Sequence, residues 1–172
     1  NGLIIADIKD QTLELCLAAV EENGYALYYI NDQTPEIILA AVKQDGWALE
    51  YIEYINDQTL EVCLEAVKQN GLALEFVEDQ TPEICLAAVK ENGYAIEYIN
   101  NQTLELCLAA VQQNGASLHY VKNQTPEIVF TALKGYEYVY EQIDLKFRFL
   151  ADEKYNKLTL DEIKALVPEM FL

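Results

Sequence analysis

Cations are scarce in this chain. Lys and Arg number 11 against 29 Asp and Glu, for a formal net charge of -18. Arg148 is the single arginine and His119 the single histidine. A surplus of negative charge this large repels nucleic acid and anionic membrane surfaces alike, so neither is expected as a partner. It favours a protein or peptide of basic character. No apolar run approaches the ~18 residues that would suggest a membrane span. No basic head leads into an apolar stretch, so no signal peptide is expected among these residues. A lone histidine with no nucleophile or orienting acid signalled beside it gives no basis for a catalytic triad. The four cysteines contain no C-x-x-C pair of the kind that holds zinc. The sequence therefore names no catalytic residue, no metal ligand set and no cofactor, and the expectation is a protein that is not an enzyme.

What the chain does have is repetition. A Gln-Thr pair begins at Gln11, Gln33, Gln58, Gln80, Gln102 and Gln124. The unit is thus 22 residues long, apart from one spacing that carries three extra residues, and a fixed period of this size indicates a stacked array. Asn1-Gly2 aligns with Asn23-Gly24, so the chain opens on the second half of a unit. A piece of a longer protein is expected.

Each unit carries its own helix signals. Thr12, Thr34, Thr59, Thr81, Thr103 and Thr125 stand where an N-cap hydroxyl accepts from the first free backbone N–H groups. Pro35, Pro82 and Pro126 follow at the first helical position, alternating strictly with Leu13, Leu60 and Leu104. A glutamate comes next in all six units, from Glu14 to Glu127, and a carboxylate in the first turn interacts favourably with the helix dipole. The apolar run that follows, such as Ile84 to Val89, covers more than one stripe and predicts a helix buried on several sides. The stop is Asn-Gly, or Asp45-Gly46, with the glycine expected in the left-handed conformation that ends many helices. A second segment, such as Tyr94 to Ile99, is expected to form a short helix; a strand, making an α/β horseshoe, competes with it. Two short helices per unit make an all-α solenoid. Residues 1–134 are assigned to the repeats and 135–172 to a helical C-terminal cap or the start of a further region.

The pattern Q-T-P-E-I-C-L-A-A-V-K-x-N-G-x-A-L-x-Y resembles a tandem helical repeat classed as a domain of unknown function, found in proteins of amoeba-infecting bacteria and of some protists. The resemblance covers roughly residues 1–134. It implies a helical array and an origin in an effector acting in a host cell, and it supplies no catalytic residues.

Cys16, Cys63, Cys85 and Cys107 share one repeat position, filled elsewhere by Ile38 and Val129. A position that accepts Cys, Ile or Val is a core position, so the thiols are expected buried and reduced, as in a cytoplasmic compartment or a host cytosol. His119 falls in the slot of Tyr28, Glu50, Glu75 and Glu97, expected to face solvent. The glutamine before each Thr both donates and accepts, and six copies could form a ladder joining successive turns.

Function in repeat arrays resides where the units differ. The residue after the glycine runs Tyr25, Trp47, Leu72, Tyr94, Ala116. This aromatic row either anchors a partner or plugs gaps between units. The insertion, Glu50 to Ile55, duplicates a triplet; it is expected to lengthen the second helix and to place Tyr51 and Tyr54 on one face. In the sixth unit Lys134-Gly135 arrives early and Asn-Gly is lost. Near the C-terminus, Leu158 and Glu162 fit a degenerate calcium loop, but Ala151, Tyr155 and Asn156 replace its ligands and turn glycine. Thr159 with Glu162 reads better as a capping box. The leading expectation is a monomeric, non-catalytic interaction solenoid, with Tyr25, Trp47, Leu72, Tyr94, Tyr51 and Tyr54 as candidate contacts. The alternatives are a structural spacer and an accessory region of an enzyme whose active site lies outside the chain.

Overall fold

The computed structural model describes residues 2–54, 57–152, 157–166 and 168–171. Helices account for all the regular structure among them, and no strand occurs. Six α-helices recur at the repeat spacing: α1 (Leu13–Glu22), α2 (Pro35–Gln44), α3 (Leu60–Gln69), α4 (Pro82–Glu91), α5 (Leu104–Gln113) and α6 (Pro126–Gly135). Between them run six-residue 3-10 helices: η1 (Gly2–Asp7), η2 (Gly24–Tyr29), η3 (Gly46–Tyr51), η4 (Gly71–Phe76), η5 (Gly93–Tyr98), η6 (Gly115–Tyr120) and η7 (Glu137–Gln142). After them come η8 (Leu145–Ala151), α7 (Leu160–Leu166) and η9 (Pro168–Phe171). The fold is an all-α solenoid of helix pairs. Packing divides the chain into two compact units, Asn1–Glu91 and Asn92–Leu172.

The threonines start the α-helices as expected. Thr34 Oγ1 accepts from Ile37 N at 3.4 Å and Thr103 Oγ1 from Leu106 N at 3.3 Å, with Thr34 itself extended. From α2 to α6 each helix buries its third, fourth, seventh and eighth residues; in α2 these are Ile37, Ile38, Ala41 and Val42, all 2% exposed or less, whereas the third residue of α1, Leu15, is 43% exposed. Helical geometry puts these four on one face. The fifth residue remains half-buried, as Leu17, Leu39, Leu64 and Leu86 show, so the helices are not buried on several sides.

The second segment is helical, but three residues per turn replace 3.6. Ala26 N donates to Asn23 O at 2.9 Å and Ile30 N to Leu27 O at 3.1 Å, both three residues back. Gly24, Leu27 and Ile30 consequently lie in one line and are all buried.

Asn-Gly does not stop the helix as predicted. Among the described residues no φ is positive, at glycine or elsewhere. Asn23 is extended, with φ -155°. Its N–H closes α1 on Ala19 O at 3.0 Å, and its side chain opens η2 by accepting from Tyr25 N at 3.1 Å. The glycine is there for space. A methyl at Gly24 would stand 2.9 Å from Ala41 O, one at Gly115 2.8 Å from Ala132 O, and one at Gly46 would collide with Ala66 O. The 3-10 helices that open on Gly2, Gly24, Gly46, Gly93 and Gly115 each lie directly on a carbonyl of the following α-helix.

Two edits also depart from expectation. The insertion leaves η3 at six residues, so Tyr51 ends that helix and Tyr54 sits beyond it. Residues 52–54 are not helical, and Ile55 and Asn56 lie outside the described residues. In the sixth unit Gly135 is the last residue of α6, Tyr136 takes the place of the usual Asn, and η7 follows in register. The helix-pair pattern therefore runs on to Gln142. Beyond it, η8 packs on α6 and buries Phe147 and Leu150. Thr159 and Glu162 form the expected capping box. Glu162 N donates to Thr159 Oγ1 at 3.3 Å; Thr159 N and Thr159 Oγ1 donate to Glu162 Oε2 at 2.7 and 2.8 Å, and these last two bonds hold the Glu162 carboxyl below its ordinary pKa. Tyr155 and Asn156 of the calcium-loop comparison lie outside the described residues.

Candidate interaction surface

Three of the repeated glutamines, Gln11, Gln33 and Gln102, each link the 3-10 helix before them to the one after. Gln33 Nε2 donates to Leu27 O at 3.1 Å and to Tyr51 O at 2.9 Å, while Glu53 N donates to Gln33 Oε1 at 2.9 Å. Gln11 repeats this with Ile5 O, Tyr29 O and Asn31 N, and Gln102 with Ile96 O, Tyr120 O and Lys122 N. Gln124 keeps the forward half through Gln142 O and Asp144 N. The predicted ladder is thus a series of side-chain-to-backbone clamps. They satisfy the polar groups that a 3-10 terminus leaves open.

On this clamped frame the variable side chains face outward. The residue after the glycine packs against the last ring of the following 3-10 helix. Tyr25 meets Tyr51 edge-on at 4.9 Å, Trp47 meets Phe76 at 5.5 Å, and Tyr94 meets Tyr120 at 5.8 Å. Such an edge-to-face pair contributes on the order of 1 kcal/mol beyond its buried area, so Trp47 on Phe76 also stabilises the stack. Leu72 holds the same position half-buried without a ring, and Ala116 ends the row.

One place is richer in rings. In η2 the slot that elsewhere holds Glu50, Glu75, Glu97 or His119 is Tyr28. Its ring stacks on Tyr25 at 5.8 Å and 12°, meets Tyr29 edge-on at 5.0 Å and Tyr51 at 5.7 Å. Tyr28 nevertheless remains 59% exposed. A hydrogen bond with Tyr29 raises the Tyr25 pKa above the ordinary phenol value; burial, aided by a hydrogen bond to Glu50, raises that of Tyr51. Both stay neutral and polar-rimmed at neutral pH. Tyr54 is 62% exposed on the loop, hydrogen-bonded to Glu53, and shares no helix face with Tyr51. Beside this cluster, Glu50, Glu53, Glu75 and Glu78 surround a recess of about 320 Å³ floored by Leu49, Ile52 and Phe76.

Of the six candidate contacts, Tyr25 and Tyr51 come together, Trp47 reaches the recess through Phe76, and Tyr94 belongs to the second unit. Tyr28, Tyr29 and Phe76 were not among them. Their signal was Tyr28 itself, an aromatic in a slot where most copies carry charge. A second surface was also missed. Leu17, Leu39 and Ala40 line a groove of about 530 Å³ between α1 and α2, edged by Glu21, Glu36 and Lys43. Leu in the fifth helical position of five copies was the pattern that pointed to it.

The cysteines carry no chemistry here. All four are buried and unbridged, and burial raises every thiol pKa, that of Cys63 to about 11. Cys63 Sγ donates to Gln58 O at 3.7 Å, a bond that requires the neutral thiol. Among the described residues no group of three or more His, Cys, Asp or Glu is placed to hold a metal ion. None of the described helices is long and apolar enough to cross a membrane.

These features define a tandem helical repeat protein of solenoid type. The family described as a domain of unknown function (DUF4116) matches at residues 12–56, 34–80 and 59–104. Those three overlapping matches cover more than half of the chain, which belongs to this family. No curated protein and no solved structure matches it.

Proposed function

We propose that the chain is a non-catalytic protein-interaction solenoid, which binds a protein or peptide on the surface of its 3-10 helices. The observation that carries this reading is Tyr28. It is the centre of a four-tyrosine cluster yet more than half exposed, at a position where the repeat is edited. Large amphipathic rings exposed on a rigid frame are the side chains that dominate protein interfaces. The net charge of -18 favours a basic partner. Four buried thiols with raised pKa values suit a reducing compartment, so the cytoplasm is the proposed location. The resemblance to repeats of amoeba-infecting bacteria extends the reading to an effector in a host cytosol.

Affinity capture on the immobilised chain tests it. A specific partner retained by the wild type and lost on Tyr28→Ala is the expected result. Recovery of nothing specific would count against binding and favour a spacer. One observation favours that second reading: Tyr25, Trp47 and Tyr94 each engage a ring of the next repeat, as packing elements would.

A further inference from the structure

We propose that the tyrosine cluster of the first unit docks arginine side chains of a basic peptide segment. The proposal rests on the interaction reading above and names the chemistry of the partner. Tyr28 offers an exposed ring face, stiffened by its contacts with Tyr25, Tyr29 and Tyr51. The face of a phenol ring is negative and attracts a cation laid over it. A guanidinium suits this place better than an ammonium. It is planar and weakly hydrated, and it can stack on a ring while its N–H groups reach carboxylates at the rim.

The charge beside the rings is of the matching sign. Glu50 is the immediate neighbour of Tyr51, and with Glu53, Glu75 and Glu78 it borders the adjoining recess. No lysine or arginine lines that recess. The described cation–π contacts within the chain all lie elsewhere: Lys134 on Phe130, Lys146 on Phe147, Arg148 on Tyr140. Four carboxylates bordering one recess, with no cation among its lining residues, attract an incoming positive charge. An arginine on Tyr28 would leave the next residues of an extended peptide over the recess. Other surfaces carry less. The leucine groove between α1 and α2 has both signs of charge at its rim and nothing that selects an occupant.

The test titrates the full chain with octa-arginine, octa-lysine and octa-citrulline peptides. Trp47 is the single tryptophan and its ring packs on Phe76, which lines the recess, so its fluorescence reports occupancy. Octa-arginine is expected to bind about tenfold more tightly than octa-lysine, because stacking adds to charge. Octa-citrulline, isosteric and neutral, is expected not to bind. Tyr28→Ala is expected to remove most of the preference for arginine over lysine while the chain stays folded, its melting temperature lowered by several degrees through the lost ring contacts with Tyr25, Tyr29 and Tyr51. Glu75→Gln is expected to weaken both cationic peptides and to flatten the salt dependence. Equal affinity for octa-arginine and octa-lysine, or an arginine preference that survives Tyr28→Ala, would overturn the proposal. A captured partner that needs Tyr28 but binds without salt dependence would sustain the interaction reading and overturn the arginine assignment.

Discussion

Gly46 lies so close to the carbonyl oxygen of Ala66 that no side chain fits between them. Gly46 opens a 3-10 helix and Ala66 lies in the second turn of the next α-helix, so this one contact sets the spacing of successive layers. The same relation recurs at Gly24 with Ala41 and, in the second unit, at Gly115 with Ala132. Gly46→Ala is therefore expected to cost at least about 2 kcal/mol, since the obstacle is backbone and cannot rotate away. Gly135→Ala, where a methyl meets nothing within 4 Å, is the control. It is expected to be neutral or to stabilise by up to about 1 kcal/mol through helix propensity. Chemical denaturation of the two variants checks both.

The glutamine clamp has a measurable weight. Gln33→Leu removes two donated bonds and one accepted bond and leaves Leu27 O, Tyr51 O and Glu53 N without that partner. A loss of about 2 kcal/mol is expected, less than three full bonds because water replaces part of each. Unchanged stability would mean that the clamp is incidental.

Much of this was legible in the sequence. The Gln-Thr register located all six α-helices, the capping threonines, the buried cysteine column and the exposed slot of His119. What escaped has a common physical cause. A six-residue segment holds fewer than two turns, so Ala95, Ile96 and Ile99 satisfied an α-helical spacing. The period of three through Gly93, Ile96 and Ile99 was the better signal. Asn-Gly was taken for a left-handed stop because that explanation is local. The actual reason, the approach of Ala41 or Ala66, lies one unit further along the chain and has no local trace. Gly135 misled for the same reason: it ends a helix without any close neighbour. The tyrosine cluster was only half visible, since Tyr25 and Tyr51 were singled out by position but Tyr28 was grouped with an inert slot.

Ser117 is the one described buried polar side chain in the core, 0% exposed, and its hydroxyl has no hydrogen-bond partner. Ala26, Ala48, Ala73 and Ala95 fill the equivalent position. Ser117→Ala is expected to stabilise by about 1 kcal/mol by removing an unsatisfied buried hydroxyl. Thermal unfolding should show a rise of roughly 2–4 °C for a chain of this size.

The thiols give a pH dependence of defined sign. Burial holds Cys63 neutral until about pH 11, whereas an unfolded thiol ionises near about 8.5. The unfolded chain thus loses its proton first. The stabilising contribution is complete below about pH 8.5 and is lost as pH rises toward 11. Alkylation by iodoacetamide at pH 8 should be slow at all four cysteines and should become fast only on unfolding. Rapid modification of the native chain would place the cysteine column outside the core.

The central claim is that the repeated positions build a frame and the edited 3-10 surface binds. A photo-crosslinking phenylalanine derivative, which keeps an aromatic ring, placed at Tyr28, and in a separate protein at Lys43 beside the leucine groove, tests this by proximity. In cell extract kept reducing, position 28 is expected to give a discrete adduct that excess octa-arginine suppresses, and position 43 none. Adducts from position 43 alone, or from neither position, would contradict the account.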